Sequence, residues 1–367
     1  MTIPVVVIGG GLAGLYTGYL LQQRNIEFKI VEASSRLGGR IFSQPHTSEV
    51  DNGLKLDLGP SWFWPHQREM MALMLHLQVD YFAQYTQGEA LFEADAQSPI
   101  ERFQPSFMES FRVTGGMTRL IEKLTAKLPD KVLELGYKIT QIEKIDDIWH
   151  INSDDPDRPI YRANNLIIAT PPRVIIDKLD LSDKALQPLA NKLSMLPTWM
   201  AAQAKFVTTY KQAFWREQGL SGQAFSRQGP MVEIHDSSAA ENDGFALFGF
   251  IGLPASHRQQ IPHEDLKQAC LAQLVKIFGE RALNVEENYL TDWATNDLVA
   301  SPADLNEQPN HPQIDLSSYR QALIDCGLYV AASEVASRDA GYLQGAIIAA
   351  TDAVEAIAEN LIENKTT

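Results

Sequence analysis

The apolar positions near the start of the chain form two short runs separated by a longer mixed stretch. The first run, Ile3–Ile8, is apolar at every position, which is typical of a strand buried on both faces. A glycine-rich turn and a stretch of helical length follow, and the second apolar run is Phe28–Val31. This order of strand, helix and strand predicts a parallel βαβ unit at the start of the chain.

The rest of the pattern predicts more strands, a second sheet and a closing helix. Short apolar runs between polar turns predict strands within residues 131–169. Runs over residues 200–210 and 245–252 predict strands elsewhere in the fold, and a strand from Gly327 leads to a helix over about residues 341–363. Helices and strands therefore alternate along much of the chain, which indicates an α/β (α+β) fold.

The turn after the first strand is a candidate binding site. It reads Gly9-Gly10-Gly11-Leu12-Ala13-Gly14, and Glu32 directly follows the second strand. Glycines let the backbone approach a pyrophosphate, whose charge the N–H groups at the helix N-terminus hold, while the acid accepts hydrogen bonds from ribose hydroxyls. Glycine-rich turns also join strands and helices for steric reasons alone. Because the flanking strand, the helix and the acid are all present, we expect a dinucleotide site.

Composition limits the classes of partner. A chain of 367 residues is long enough for two domains, or for one domain with a large insertion. A net charge of −15 argues against nucleic acid and anionic membranes. No apolar stretch reaches the roughly 18 residues that span a bilayer, and no signal peptide pattern precedes Ile3, so we expect a cytoplasmic protein. Cys270 and Cys326 match no metal or redox spacing and are expected to be reduced thiols.

The residues after Glu32 indicate which dinucleotide binds. Glu32-Ala33-Ser34-Ser35-Arg36-Leu37-Gly38-Gly39-Arg40 resembles the flavoprotein signature E-A-x-x-x-x-G-G-R, and the chain resembles the FAD-dependent amine oxidases, the monoamine oxidase-like group. Arg40 offers a planar fork of donors suited to phosphate, although a surface ion pair is the alternative. The resemblance implies FAD as the cofactor, bound by Gly9, Gly11, Leu12, Ala13, Gly14, Glu32, Ala33, Arg36, Gly39, Arg40, Gly59, Pro60, Ser61, Trp62, Ile139, Trp293, Ser333, Glu334 and Leu343.

The resemblance also implies how the chain is divided. A Rossmann-like FAD-binding domain, discontinuous in sequence, is expected over residues 1–80, 115–172 and 291–367. A mixed-sheet substrate domain is expected to be inserted into it, over residues 81–114 and 173–290.

Lys205 is the first candidate catalytic residue. It precedes Tyr210-Lys211-Gln212-Ala213-Phe214-Trp215, which resembles the family segment in which a lysine comes a fixed interval before Y-K-x-x-F-W. The family lysine is bonded through water to flavin N5, where a cation or strong donor stabilises changing charge. Strand alternation places Lys205 on one face with Val207 and Thr209. The alternative is a solvated lysine on an edge strand.

Tyr342 is the second candidate catalytic residue. The segment Gly341-Tyr342-Leu343-Gln344-Gly345-Ala346 resembles the family's G-Y-x-x-G-A, which opens the final helix. The resemblance implies that the N-terminus of this helix points at the flavin, where its dipole stabilises negative charge. Tyr342 is then expected to be one wall of an aromatic cage around the amine, unless it only packs the helix start.

The sequence departs from the family pattern at the second wall of the cage. Counted from Trp293, the family's second tyrosine and the flavin-bonded cysteine of some relatives fall near Ala303 and Pro302. We therefore expect noncovalent FAD and a wide pocket with Ala303, or a neighbouring loop, opposite Tyr342. Three adjacent aromatic residues, Trp62, Phe63 and Trp64, are the candidates for a replacement wall, with core packing as the alternative.

The resemblance implies a reaction as well as a fold. A small neutral amine is expected to transfer hydride to flavin N5, giving an imine, and molecular oxygen is expected to reoxidise the flavin to give hydrogen peroxide. Two alternatives remain: a related dehydrogenase or desaturase that uses another electron acceptor, and a flavin-binding protein without amine turnover. The segment after Gly59 has Ser61 and Trp62 where amino acid oxidases often carry a carboxylate-binding arginine, which favours simple amines.

Overall fold

The computed structural model of the chain describes residues 2–45, 55–179, 186–240, 244–306 and 310–366. In chain order, its strands are β1 (Ile3–Ile8), β2 (Phe28–Val31), β3 (Ser43–Pro45), β4 (Lys55–Asp57), β5 (Tyr81–Ala83), β6 (Glu89–Glu93), β7 (Glu101–Phe103), β8 (Phe111–Val113), β9 (Leu133–Glu134), β10 (Ile139–Ile145), β11 (Ile148–Ser153), β12 (Tyr161–Ile168), β13 (Ala204–Tyr210), β14 (Leu220–Ser226), β15 (Met231–Asp236), β16 (Phe245–Ile251), β17 (Val285–Asp292) and β18 (Leu328–Val330).

The α-helices lie between and after these strands, and the longest closes the chain. They are α1 (Leu12–Gln23), α2 (Arg68–Leu77), α3 (Thr118–Thr125), α4 (Pro172–Ile175), α5 (Gln187–Met195), α6 (Phe214–Glu217), α7 (Ala255–Arg258), α8 (His263–Phe278), α9 (Arg320–Cys326) and α10 (Leu343–Thr366). None of the described helices is both long and apolar enough to cross a membrane.

The first sheet contains the predicted βαβ unit. Its described strands run in the order β10-β11-β12-β1-β2-β9, with β18 beside β12. Strands β9, β2, β1, β12 and β18 are parallel, whereas β10 and β11 pair antiparallel. Val5 and Val7 pack with α1, α3 and α10 on one face, and Val6 and Ile8 pack with α4 and α5 on the other. Burial on both faces explains why β1 is apolar throughout.

The second sheet is mixed and has one face covered by α8. Its described strands run in the order β17-β13-β16-β15-β14-β6-β7, antiparallel except where β14 runs parallel to β6. Phe206 packs toward α8 residues such as Leu274. Val207 lies in a separate cluster with Leu56 and Phe248. Alternation along β13 therefore turns every second side chain away from α8, toward β4 and the loop that follows it.

Candidate active site

A cavity of about 460 Å³ is lined by residues from both sheets. Every cofactor-binding residue expected from the sequence lines it except Gly14, and Lys205 and Tyr342 line it too. The lining residues come from the turn between β1 and α1, the segments after β2, β4, β17 and β18, and the starts of β10 and α10. Distant parts of the chain thus meet around one space.

The glycine turn has two different steric constraints. Gly9 has a φ of +106°, and a Cβ on Gly9 would lie 2.9 Å from the Ala169 carbonyl oxygen. A Cβ on Gly14 would lie only 1.9 Å from the Gly9 carbonyl oxygen, so Gly14 lets α1 pack against its own turn. Gly11 is different, because a Cβ there would meet nothing closer than Gly39 at 3.8 Å. Gly14 therefore sets the shape of the turn between β1 and α1, which forms a cradle for a ligand, and Gly11 borders the cavity.

Glu32 joins the turn to the end of β2. Its Oε2 accepts from the Gly10 N–H (2.5 Å), and its Oε1 accepts from the Ser34 N–H (2.7 Å). An ionised carboxylate has about four acceptor positions, so about two remain for ligand hydroxyls. The first turn of α1 carries no acidic side chain that would compete for its N–H groups. These residues fit a dinucleotide, with the pyrophosphate at the start of α1 and a ribose at Glu32.

Arg40 forms an ion pair in the cavity wall. It contacts Glu334 at 2.7 Å, and it donates to the Ser333 hydroxyl (2.8 Å) and to the Trp199 carbonyl oxygen (2.9 Å). Glu334 is fully buried, whereas Arg40 keeps about a quarter of its side chain exposed. The ion pair is therefore partly buried and does not lie on the surface. It joins the segment around Arg40 to the turn at Trp199 and to the segment after β18.

Lys205 is buried in the middle of the second sheet. Strand β13 pairs with β16 on one side and β17 on the other, so the edge-strand alternative is wrong. The Lys205 Nζ donates to the carbonyl oxygens of Asp57 (2.6 Å) and Gly59 (3.2 Å) and to the Ser61 hydroxyl (2.5 Å). It also lies 4.0 Å from the centroid of the Phe248 ring. The lysine therefore joins β13 to the loop after β4.

The charge of Lys205 is held in a poorly solvated place. Burial lowers the pKa of Lys205 to about 7, although the nearby Asp57 carboxylate favours the charged form. Burial also raises the pKa of Asp57, which accepts from the Ser43 hydroxyl and the Met117 N–H. Buried Arg112 adds a positive charge that further lowers the pKa of Lys205.

Tyr342 belongs to a cluster of aromatic rings at the same cavity. Its ring centroid lies 5.6 Å from Trp64, 6.0 Å from Trp199 and 4.4 Å from His311. His311 stacks on Trp199 at 3.7 Å. Trp64 and Trp199 also line the cavity, while Phe63 packs in the core of the first sheet. Tyr342 thus stands in a continuous aromatic wall.

The expectation for the second cage position is wrong. Pro302 and Ala303 are exposed and lie outside the cavity lining, so Ala303 does not face Tyr342. Asp304 is the reason, because it is buried and pairs with Arg173 at 2.7 Å. Asp304 also accepts from the N–H groups of Ser301 and Thr198. These bonds turn the segment after Trp293 toward α4 and away from the cavity.

Some lining residues were missed by the sequence reasoning. Gln203 lines the cavity two positions before Lys205, and the same strand alternation that placed Lys205 predicts this. Trp199 and Met200 line it as well, but they precede β13 in an irregular turn where Met200 has a φ of +59°. No periodic signal in the sequence marks such a turn. The described residues contain no cluster suited to hold a metal ion.

The two cysteines lie away from this site. Cys270 is buried between α8 and the second sheet, and Cys326 is buried at the end of α9 beside β18. Neither lines the cavity. Burial raises the pKa of Cys270 to about 12, so it stays a thiol at neutral pH.

Comparisons with known proteins agree with this geometry. The family model described as flavin containing amine oxidoreductase matches residues 73–358, and that of an NAD(P)-binding Rossmann-like domain matches residues 7–77. The probable flavin-containing monoamine oxidase A of Dictyostelium discoideum is 22% identical over an alignment of 470 positions that covers 98% of each chain. Putrescine oxidase of Kocuria rosea is 22% identical over an alignment of 401 positions that covers 80% of this chain and 82% of that one.

The fold also resembles solved structures over nearly the whole chain. Cyclohexylamine oxidase from Brevibacterium oxydans matches with a TM-score of 0.82 at 17% identity, covering 98% of this chain and 100% of that chain. The likeness in backbone thus extends over both sheets and the segments that line the cavity.

Proposed function

Since the chain belongs to the flavin containing amine oxidoreductases, FAD-dependent enzymes that act on CH–NH groups, we propose that it oxidises an apolar monoamine to the imine. When bound, FAD supplies the two-electron acceptor, taking hydride from the carbon next to the nitrogen and passing the electrons to molecular oxygen as hydrogen peroxide. The imine then hydrolyses to an aldehyde or a ketone.

One observation carries this proposal: Lys205 and Tyr342 line the same cavity as the glycine turn and Glu32. The dinucleotide cradle accounts for cofactor binding alone. A buried cation beside a cluster of aromatic rings is an additional feature, which a protein that only stores flavin does not need. Lys205 would stabilise negative charge that develops in the cavity, and the rings would orient a neutral amine.

The proposed substrate class follows from the side chains near Lys205 and Tyr342. The described lining residues at this end include four large rings besides Tyr342, namely Trp62, Trp64, Trp199 and Phe250. The polar groups beside them, Gln67 and Gln203, are neutral. Such a surface favours an aromatic or aliphatic substituent on the amine, because burying a charged group without a partner is costly.

A second charge on the substrate would have no partner here. The Arg40 guanidinium is paired with the buried Glu334 carboxylate, which neutralises its charge, so Arg40 offers no uncompensated positive charge to a substrate carboxylate. Glu32 lies at the glycine turn, where its remaining acceptor positions face the proposed ribose, so it is not placed to hold a second ammonium. We therefore propose monoamines, and neither diamines nor amino acids.

Two matched pairs of compounds test the proposal. The FAD-loaded protein is mixed without oxygen with 2-phenylethylamine or phenylalanine, which differ by a carboxylate, and with butylamine or putrescine, which differ by a second amine. Bleaching of the visible absorbance of the oxidised flavin measures reduction. We expect 2-phenylethylamine and butylamine to reduce the flavin faster than their charged counterparts.

Admitting oxygen then separates the remaining alternatives. Rapid reoxidation with formation of hydrogen peroxide is expected for an oxidase. Reduction by amines with slow reoxidation would indicate a dehydrogenase that uses another acceptor. A flavin that no amine reduces would contradict amine oxidation, and faster reduction by putrescine or phenylalanine would contradict the substrate class.

A further inference from the structure

The hydrogen bonds of Lys205 leave it no donor for the cavity. A charged lysine has three N–H groups, and protein acceptors from the loop after β4 take all of them: the carbonyl oxygens of Asp57 and Gly59 and the Ser61 hydroxyl. Two of these contacts are short, at 2.6 Å and 2.5 Å. Lys205 in this arrangement cannot also donate directly to a molecule in the cavity.

Ser61 is the one acceptor of the three that has a hydrogen of its own to pass on. A hydroxyl carries one donor, and since Lys205 already donates to the Ser61 oxygen, the hydroxyl hydrogen points elsewhere. Within the described part of the chain, no protein acceptor is hydrogen-bonded to it. Ser61 is 3% exposed and lines the cavity. Its hydroxyl hydrogen is therefore available to a molecule in that space.

We infer that the Ser61 hydroxyl is the catalytic donor to the reacting group in the cavity, and that Lys205 is a positioning residue which polarises it. This assignment rests on the proposed function, because it places the charge change of amine oxidation at this end of the cavity. A hydroxyl that accepts a hydrogen bond from a cation becomes a stronger donor. The lysine charge then acts on the cavity through the Ser61 hydroxyl, which accepts from Lys205 and donates to the molecule in the cavity.

Other neighbours of Lys205 support a fixed cation. The Phe248 ring lies beneath the ammonium group at 4.0 Å, and the Phe250 ring lies 5.8 Å away. Both rings are on β16, next to β13 in the second sheet. These rings and the two carbonyl oxygens hold the ammonium group from several sides. Lys205 is only 2% exposed, so it contacts little solvent.

A double-mutant cycle on the bound cofactor tests the assignment without turnover. The equilibrium midpoint potential of the FAD is measured below pH 7, where Lys205 keeps its proton, in the wild type, Ser61→Ala, Lys205→Met and the double variant. A donor to the site where negative charge develops favours the reduced form, so each single change is expected to make the potential more negative. Because Lys205 acts through Ser61, the double variant is expected to match the larger single effect rather than the sum.

Ser61→Thr is the matched control, since it retains the hydroxyl on the same backbone. It is expected to keep a potential close to that of the wild type, whereas Ser61→Ala shifts. Equal potentials for Ser61→Ala and the wild type would overturn the assignment, as would single effects that simply add. A shift in Ser61→Thr as large as that in Ser61→Ala would also overturn it, because the loop and not the hydroxyl would then be responsible.

Rates of reduction by amine distinguish this assignment from the proposed function. If the wild type is reduced by 2-phenylethylamine, Ser61→Ala is expected to be slower by about a hundredfold, the usual cost of one preorganised donor. An unchanged rate would overturn the role of Ser61 and leave amine oxidation standing. If no amine reduces the wild type, the proposed function fails, and the potentials still decide whether Lys205 acts through Ser61.

Discussion

Lys205 shows how one buried charge affects both stability and chemistry. It is among the largest fully buried side chains, and it lies within the sheet rather than at its edge. Carbonyl oxygens and an aromatic ring contact the ammonium group in place of water. These contacts stabilise the charge, but they do not fully compensate for its desolvation. The lowered pKa follows from this balance.

The stability of the folded chain is expected to depend on this lysine and on pH. In the unfolded chain a lysine keeps its proton up to about pH 10.5, but in the folded chain Lys205 keeps it only up to about pH 7. Folding between these values releases a proton, so the free energy of unfolding rises with pH across that window. Urea unfolding of the wild type and of Lys205→Met measures this dependence. The free energy of unfolding of the wild type, relative to that of Lys205→Met, should increase from pH 7 to pH 10.

A difference between the two proteins that stays constant across this range would contradict the burial argument. The experiment uses the apo protein, so that cofactor binding does not add its own pH dependence. Lys211→Met, at the exposed position after β13, serves as the control and should show no such trend.

The sequence predicted Lys205 and Tyr342 because each lies in a motif with fixed spacing. Gln203 could have been predicted too, because strand alternation places it on the same face as Lys205. Trp199 and His311 were not, because their stacking depends on a turn before β13 and a loop before α9 that approach each other only in the folded chain. Ala303 was misplaced because counting from Trp293 assumes an unchanged loop, and the buried pair of Asp304 and Arg173 redirects that loop.

At the scale of elements, the turn between β1 and α1 assigns different tasks to neighbouring glycines. Gly14 permits the close packing of α1 on the turn, and Gly11 permits access to the cavity. The sequence predicted the strand, the turn and the helix correctly because their apolar periods are strong and local. It did not separate the steric glycine from the cavity glycine, since both appear in one motif.

Gly14→Ala and Gly11→Ala are expected to fail in different ways. The new Cβ at Gly14 overlaps the Gly9 carbonyl, so the apo protein should lose about 1–3 kcal/mol of stability, or more. The new Cβ at Gly11 meets only ordinary contacts, so the apo protein should stay stable while FAD binds more weakly. Thermal unfolding of the apo proteins and titration with FAD measure the two effects. Equal loss of stability in both variants would contradict this division of tasks.

The ion pair of Arg173 and Asp304 joins α4 to the segment after β17. Both side chains are about 95% buried, since their exposed fractions are 5% and 3%. Asp304→Ala removes the buried carboxylate that accepts from Arg173 and from the N–H groups of Thr198 and Ser301, so it is expected to cost about 3–5 kcal/mol. Asp297→Ala breaks an exposed pair with Lys138, where the Asp297 side chain is 76% exposed, and is expected to cost under about 1 kcal/mol. Urea unfolding of both variants measures the difference, and similar costs would contradict a structural role for the pair.

At the scale of the whole molecule, the cavity is built by both sheets and contains no cysteine. Cys270 and Cys326, the two cysteines of the chain, are buried elsewhere. We therefore expect FAD to be held without a covalent bond to cysteine. Acid precipitation of the yellow protein should release intact FAD into the supernatant. Flavin that remains with the precipitated chain would contradict noncovalent binding.

The closing helix has a consequence for how the protein is made. Helix α10 packs against α1, and its first residues Leu343 and Ala346 line the cavity opposite the glycine turn. The ribosome delivers the turn before α10, on the order of tens of seconds apart at about 5–20 residues per second. Until then α1 lacks its partner helix, and the cradle is open on one side. The complete cavity wall around the FAD site is therefore expected to form only once α10 has been synthesised.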